Sequence, residues 1–249
     1  MSGLDTALIF GAAFLAGILN AIAGGGSFLT FPALVFAGVP PIIANASSTV
    51  AVSPGSFASA WGYREDFKPF EKIGLWPMLG ISLVGGALGA LLLLWTPART
   101  FDQVIPWLLL GATVLFGFGR QLTPLLLRWF TIGPAALMVI QFLIAIYGGY
   151  FGGAIGILML ALYGLFGLED LTAMNAVKTL LAGTMNGAAV VCFIIAGKVW
   201  WYPTLVMLVA AVLGGYAGAR VARKINPTWL RIGVTAVGLA MTAAFFARS

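Results

Sequence analysis

Apolar residues run through this chain in long stretches, separated by polar or glycine-rich positions. Most stretches contain about 20 residues, the length of helix that crosses a hydrocarbon core of about 30 Å. The pattern therefore predicts an all-α integral membrane protein. The predicted spans are residues 6–36, 42–63, 73–95, 101–119, 132–166, 171–196, 200–219 and 229–247.

The same motifs occur twice in the same order. Asn45-Ala46 returns as Asn175-Ala176, 130 positions later, and Gly26 and Gly156 have the same separation. The block 85–90 (GGALGA) is followed 129 positions later by the block 214–219 (GGYAGA). We therefore predict an internal repeat of two units with about four spans each. The units are residues 1–119 and 132–249, joined by a linker at 120–131.

The first span of each unit contains a glycine-rich interruption. An unbroken helix over residues 6–36 would be about 46 Å long, too long for one span without a heavy tilt. Glycine is also a poor helix former, so we expect a break at residues 24–27 and an equivalent one at 152–156. If these segments are re-entrant hairpins, the two halves are inverted; if they are not, the halves are parallel. The sequence leaves this choice, and the orientation of the termini, open.

Composition excludes several classes of function. The chain is 61% hydrophobic and 8% charged, and its net charge of +6 comes from bases between the apolar runs. Bases in such places are typical of membrane orientation and lipid headgroups rather than of nucleic-acid binding. With one cysteine and no histidine, neither an internal disulfide nor a Cys/His metal site is expected. We expect no cofactor and no enzyme, because no catalytic set of residues can be assembled. The start of the chain lacks the bases of a cleavable signal peptide, so the first run is predicted to be retained.

Lys178 is the strongest candidate for a functional charge. Every Asp and Glu falls at a span end or in a loop, whereas Lys178 lies well inside a span, at the repeat position of Ser48. An ionisable group at this depth is expensive and is a functional candidate by default. The alternative is a lysine that reaches the membrane surface or bonds a carbonyl at a helix break.

Polar residues cluster around the predicted breaks. A helix that restarts near Ser27 would present free N–H groups and a positive dipole end, and broken helices in two repeats mark transporter sites. We therefore predict a central site for a small anion. Its predicted substrate-binding residues are Lys178, Asn175, Thr179, Asn45, Ser47, Ser48, Thr49, Asn20, Gly24, Gly25, Gly26 and Ser27.

The glycine-rich opening at 20–34, the small-residue block at 45–53, the two glycine blocks and Asn175-Ala-Val-Lys178 together resemble the TauE/SafE family of sulfite and organosulfonate exporters. The resemblance covers essentially the whole chain. It implies a bacterial inner-membrane permease that exports sulfite, sulfoacetate or a related sulfonate. It does not identify the substrate or supply site residues.

Several alternatives remain at this stage. An anion channel would use the same glycines, and a membrane scaffold or biogenesis protein would also contain packing glycines. Transport is either an anion uniport or coupled to protons, with Lys178 itself, Glu169 or Asp170 as the titrating group. Membrane lipid is an expected partner, and the sequence leaves a homodimer open.

Overall fold

The chain folds into helices joined by short connections. The computed structural model describes the backbone of residues 3–22, 24–68, 73–129, 132–221 and 227–247, and the side chains of these residues except 3–5, 119–129 and 227–231. The described chain contains one short 3₁₀ turn, Arg64–Asp66, and no β-strand. Its α-helices are α1 (Gly3–Ile22), α2 (Ser27–Phe36), α3 (Pro41–Gly62), α4 (Leu75–Trp95), α5 (Ala98–Trp129), α6 (Pro134–Tyr150), α7 (Ile155–Leu165), α8 (Leu171–Ile195), α9 (Trp201–Val221) and α10 (Pro227–Phe246).

The predicted membrane character is confirmed. Within the described residues, α4, residues Ala98–Phe118 of α5, α8 and α9 are long and apolar enough to cross a membrane. Helix α3 has a similar length but is more polar, because its first turns contain an asparagine, two serines and a threonine. Most of α1 and α10, together with α2, α6 and α7, forms shorter apolar helices. These helices are those of a multi-pass membrane protein.

Both predicted breaks are present. Helix α1 ends at Ile22 and α2 begins at Ser27, while α6 ends at Tyr150 and α7 begins at Ile155. Gly24, Gly25 and Gly152 have φ between 79° and 95°, a backbone conformation that glycine adopts without steric cost. Ala154 also has a positive φ, 57°, which a residue with a Cβ rarely adopts. Glycine thus supplies most of the unusual backbone that the two interruptions require.

At each break the chain reverses direction. The carbonyl of Ala21, near the end of α1, accepts a hydrogen bond from the hydroxyl of Tyr63, at the end of α3. Thr30 of α2, by contrast, bonds Ser48 near the start of α3. In the second half, the N–H of Ile132, which precedes α6, donates to the carbonyl of Leu165 at the end of α7. The helix pairs α1–α2 and α6–α7 are therefore re-entrant hairpins.

Six helices of the described chain pack side by side in the order α1, α9, α3, α8, α4, α6. Glycines allow the close approach: a Cβ on Gly214 would collide with the carbonyl of Phe14, and one on Gly89 with the carbonyl of Ile146. Small residues at such contacts let membrane helices pack backbone to backbone. The hairpin helices α2 and α7 contact the inner pair α3 and α8, and α5 packs against α10.

Helix directions follow from contacts near the helix ends. Lys68, just after α3, forms an ion pair with Asp170 at the start of α8, and Ser47 of α3 accepts a hydrogen bond from the N–H of Trp200, just after α8. Helices α3 and α8 are therefore antiparallel. We call the face of the bundle that carries Lys68 the Lys68 face, and the opposite face the Trp200 face.

Helices α5 and α10 are antiparallel as well, because Thr113 faces Gly238 and Gly117 faces Thr235. The helices that the sequence motifs pair thus run in opposite directions, as expected for inverted halves. The repeat itself and the division at 119 and 132 remain predictions. Helix α5 continues to Trp129, through most of the residues assigned to the linker.

Candidate functional site

A small cavity lies between α3 and α8, next to the tips of both re-entrant hairpins. Its volume admits about one water molecule in this conformation. The tips touch each other, since a Cβ on Gly24 would lie 2.5 Å from the Cα of Gly156. The cavity is lined by Asn20, Gly24, Ser27, Val52, Ser56, Gly152, Ile155, Gly156, Lys178, Thr179, Ala182 and Asn186.

Lys178 is the charged residue of this cavity. Its side chain is 1% exposed, so it does not reach the membrane surface. Its Nζ donates a 2.6 Å hydrogen bond to Oδ1 of Asn175, one turn earlier on α8, and a longer one of 3.4 Å to the carbonyl of Ala21. Among the residues whose side chains are described, no carboxylate forms an ion pair with Lys178. The ammonium is therefore held by neutral acceptors alone.

Both hairpins direct helix N-termini at the cavity. Ser27 begins α2 and Ile155 begins α7, and both line the cavity. The N–H groups of Ser27 and Ile155 have no partner in the described chain, whereas those two positions further on bond carbonyls that precede each helix. The helix dipole makes this end positive. Asn20 fixes the first tip, because its Oδ1 accepts a 2.6 Å hydrogen bond from the N–H of Gly26. This bond leaves the donor nitrogen of the Asn20 amide available to the cavity.

The lining is rich in hydrogen-bond donors. It contains one ammonium, two amides and several hydroxyls, and among the described residues it has no carboxylate. Such a set suits a ligand whose oxygen atoms accept hydrogen bonds and carry negative charge. A cation would meet the Lys178 ammonium without a neutralising partner. The lining is thus chemically suited to an anion.

Five of the predicted site residues meet at the cavity: Lys178, Thr179, Asn20, Gly24 and Ser27. Gly25 and Gly26 lie in the first break beside it. Asn175 supports the site indirectly through its bond to Lys178.

The other four predicted residues do not line the cavity and form hydrogen bonds elsewhere. Asn45 donates to the carbonyl of Tyr150, and the hydroxyl of Thr49 donates to the carbonyl of Asn45. The hydroxyl of Ser48 lies 2.6 Å from that of Thr30. Ser47 accepts the bond from Trp200 described above. Asn45, Ser47 and Ser48 thus join α3 to neighbouring segments near the Trp200 face, whereas Thr49 bonds within α3.

The sequence analysis missed seven lining residues: Val52, Ser56, Gly152, Ile155, Gly156, Ala182 and Asn186. Two patterns point to some of them. Lys178, Ala182 and Asn186 recur every fourth position and so share one face of α8. Ser56 and Asn186 are separated by the same 130 positions as the repeated motifs.

Comparison with known proteins identifies the family of the chain. The family model described as "Sulfite exporter TauE/SafE" matches residues 9–245. The chain belongs to the TauE/SafE family. No solved structure matches the chain significantly.

Relatives of this TauE/SafE protein cover nearly its full length. A "Probable membrane transporter protein" of Haemophilus influenzae is 29% identical over 97% of this chain and 94% of its own. "Probable membrane transporter protein YfcA" of Escherichia coli K12 is 30% identical over 98% of this chain and 90% of its own. "Probable membrane transporter protein ORF9" of a Sinorhizobium species is 32% identical over 87% of this chain and 82% of its own. Family and relatives indicate a membrane transporter rather than an enzyme.

Proposed function

We propose that this TauE/SafE transporter exports a small sulfur-containing oxyanion, such as sulfite, sulfoacetate or a related sulfonate. The main support is the buried ammonium of Lys178, which faces a donor-rich cavity and has only two neutral acceptors in the described chain. A buried charge without a counter-ion costs several kcal/mol. A bound anion would offset that cost.

The oxygen atoms of a sulfonate only accept hydrogen bonds, and they point away from sulfur in three directions. The cavity has donors on several sides: Lys178 from α8, Asn20 from α1 and the N-termini of α2 and α7. Charged hydrogen bonds of this kind are roughly twice as strong as neutral ones. A compact oxyanion can therefore use donors that belong to four different helices.

A carrier suits this arrangement better than an open channel. The two hairpin tips are in contact at Gly24 and Gly156, and the cavity admits only about one water molecule. A sulfonate needs more room, so the helices around the site must move apart for it to enter. Movement of helices around a central site is the usual basis of alternating access.

The distribution of bases favours export. In the described chain, the helices and turns of the Lys68 face include Arg64, Lys68, Arg120, Arg128, Arg220 and Arg231. Lys72, Arg223 and Lys224 lie outside the described residues. On the Trp200 face the corresponding bases are Arg99 and Lys198, with Arg248 outside the described residues. By the positive-inside rule, the Lys68 face is cytoplasmic.

This orientation sets the direction from which the anion meets its counter-ion. Lys178 lies two turns into α8 from the Lys68 face, so it belongs to the cytoplasmic half of the membrane. A membrane potential of about 100 mV, negative inside, favours the exit of each negative charge by about 2.3 kcal/mol. Capture near the cytoplasm followed by exit down the potential is the expected cycle of an anion exporter.

The test measures uptake of radiolabelled sulfite and sulfoacetate into proteoliposomes with wild-type protein, Lys178→Met and Lys198→Met. Lys178→Met keeps the length of the side chain but removes the charge, and truncating a buried charge partner costs about 2 kcal/mol or more, roughly 30-fold in affinity. Lys198→Met removes an exposed lysine and should transport normally. Failure of the wild type to move either anion, or normal transport by Lys178→Met, would refute the proposed function.

A further inference from the structure

We propose that Asn186 and Ser56 bind the substrate directly and select pyramidal oxyanions, such as sulfonates, over planar carboxylates. This assignment rests on the proposed function, because it gives a role within that same site to two residues that lie apart from its charge. Both side chains line the cavity, one from each of the two central helices.

The two residues flank the point where α3 and α8 cross. A Cβ on Gly183 of α8 would lie 3.0 Å from the ring of Phe57 of α3, so the helices are in contact at this level. Ser56 is one position from Phe57, and Asn186 is three positions from Gly183, on the side of each helix that faces the cavity. The crossing thus brings a hydroxyl and an amide to the same end of the cavity.

Both side chains are buried and have hydrogen-bonding capacity that the described chain does not use. Ser56 is 4% exposed and Asn186 is 6% exposed, and neither side chain forms a hydrogen bond with a described residue. By contrast, Ser59 and Thr184 donate to the carbonyl one turn earlier on their own helices. Buried polar groups normally have partners, so a pair that faces a cavity without them is available to a ligand.

The position of the pair complements that of the charge. Lys178, Ala182 and Asn186 follow one another at four-residue intervals on α8, so the Cα atoms of Lys178 and Asn186 lie about 12 Å apart along the helix. The lysine attracts any anion of suitable size. Neutral donors at fixed positions can distinguish anions by the direction of their oxygen atoms.

A carboxylate has two oxygens in one plane, whereas a sulfonate has a third oxygen out of that plane. Donors on opposite helices can bond this third oxygen while the hairpin N-termini engage the others, and Lys178, further along α8, attracts the anion through its charge. A carboxylate would leave one of these buried donors without a partner, and sites built to hydrogen-bond a group discriminate strongly against ligands that lack it. The expected preference is therefore for the pyramidal headgroup.

The test compares ethanesulfonate with propionate, which carry the same alkyl chain and differ in their headgroup. Competition with labelled sulfoacetate in proteoliposomes gives the apparent affinity for each. Asn186→Ala and Ser56→Ala should each lower the apparent affinity for ethanesulfonate by about tenfold, as expected for one lost hydrogen bond to an anion. The apparent affinity for propionate should fall by less than about threefold. Asn186→Asp should abolish competition by both anions, because it adds a negative charge.

Two controls match these substitutions. Ser53→Ala removes a hydroxyl of similar burial from α3 that does not line the cavity, and Thr184→Val does the same for a half-buried hydroxyl of α8. Both should keep the wild-type preference. Asn186→Ser retains a donor and should restore part of the preference that Asn186→Ala loses, a result that loss of folding alone cannot give.

The outcomes separate the two proposals. If wild-type protein transports no sulfonate, the proposed function fails. If wild-type protein prefers ethanesulfonate and both alanine variants keep that preference, the assignment of Asn186 and Ser56 is overturned while the proposed function stands. Should Asn186→Ala fail to elute as a single species, Ser56→Ala and Asn186→Ser decide the question.

Discussion

Gly24 and Gly156 contact each other backbone to backbone where the two re-entrant hairpins meet. A Cβ on Gly24 would lie 2.5 Å from the Cα of Gly156 and 2.8 Å from its nitrogen. Real Cβ atoms do not approach backbone so closely, and backbone cannot move aside as a flexible side chain can. The contact between the hairpins therefore requires glycine at position 24.

Gly24→Ala should destabilise the protein and abolish transport. The substitution adds a collision between hairpins to the strain of a left-handed backbone, which alone costs about 1–2 kcal/mol. Gly38→Ala is a matched control, because Gly38 has a similar φ of 86° but nothing within 4 Å of the added Cβ. The midpoint of thermal unfolding in detergent should fall much further in Gly24→Ala than in Gly38→Ala. The rate of sulfite uptake should follow the same order. Equal losses in the two variants would mean that the hairpins do not need this contact.

Gly89→Ala should weaken the seam between α4 and α6. A Cβ on Gly89 would collide with the carbonyl of Ile146 and lie 2.8 Å from the nitrogen of Tyr150. Gly80→Ala on the same helix meets nothing within 4 Å, and alanine is favoured over glycine in a helix by about 1 kcal/mol. We expect a lower midpoint of thermal unfolding for Gly89→Ala and an unchanged or higher one for Gly80→Ala. The reverse order would contradict the proximity of these two helices.

Single cysteines test the orientation of the membrane protein. In a Cys192→Ser background, Lys68→Cys and Lys198→Cys introduce exposed thiols on opposite faces of the bundle. A maleimide that cannot cross membranes should label Lys198→Cys in intact spheroplasts, and Lys68→Cys only after permeabilisation. Labelling of Lys68→Cys in intact spheroplasts would reverse the orientation and, with it, the side from which the anion meets Lys178.

The ion pair between Lys68 and Asp170 predicts a dependence of stability on pH. The hydrogen bond from Lys68, assisted by the N–H groups of Ala173 and Thr172, lowers the pKa of Asp170 below its ordinary value of 3.8. A lowered carboxyl pKa stabilises the folded protein above the ordinary value, and this stabilisation is lost as the pH falls through the lowered pKa. The effect should be small and sensitive to salt, because both side chains are exposed.

Asp170→Asn keeps an N-cap side chain for α8 but removes the charge, whereas Asp170→Ala removes both. At neutral pH the unfolding midpoint should fall in the order wild type, Asp170→Asn, Asp170→Ala. At a pH below the lowered pKa the difference between wild type and Asp170→Asn should disappear. Glu169→Gln, at the exposed neighbouring position, is the control and should leave the unfolding midpoint unchanged at neutral and at acidic pH. A difference that persists in acid would exclude the ion pair as its cause.

Local sequence was sufficient to predict much of this fold. Apolar runs gave the helices, and three consecutive glycines gave the first break, because both signals depend only on neighbouring residues. Lys178 was found for the same reason: a charge deep inside an apolar run has few structural explanations. Lys178 is buried beside the cavity, and its role in binding stays a prediction.

Contacts between distant helices were harder to predict. Ser48 and Lys178 occupy equivalent positions in the sequence, yet Ser48 bonds Thr30 while Lys178 faces the cavity. Asn186 lies beyond the repeated motif, and although its spacing from Lys178 and Ser56 points to it, its position at the cavity depends on how α3 and α8 cross. Whether the two halves are parallel or inverted depends on whether each hairpin returns to the face where it started. The glycines permit such a return but do not require it.

The close contact between α1 and α9 has a consequence for biosynthesis. Gly17 lies against Gly215, and Phe14 against Gly214, so the first helix has its best partner near the end of the chain. When α1 has been synthesised, the face that packs against α9 has no partner helix yet. That face contacts lipid or another protein until α9 has been made. The packing of the first half is therefore completed only after α9, in the second half, has been made.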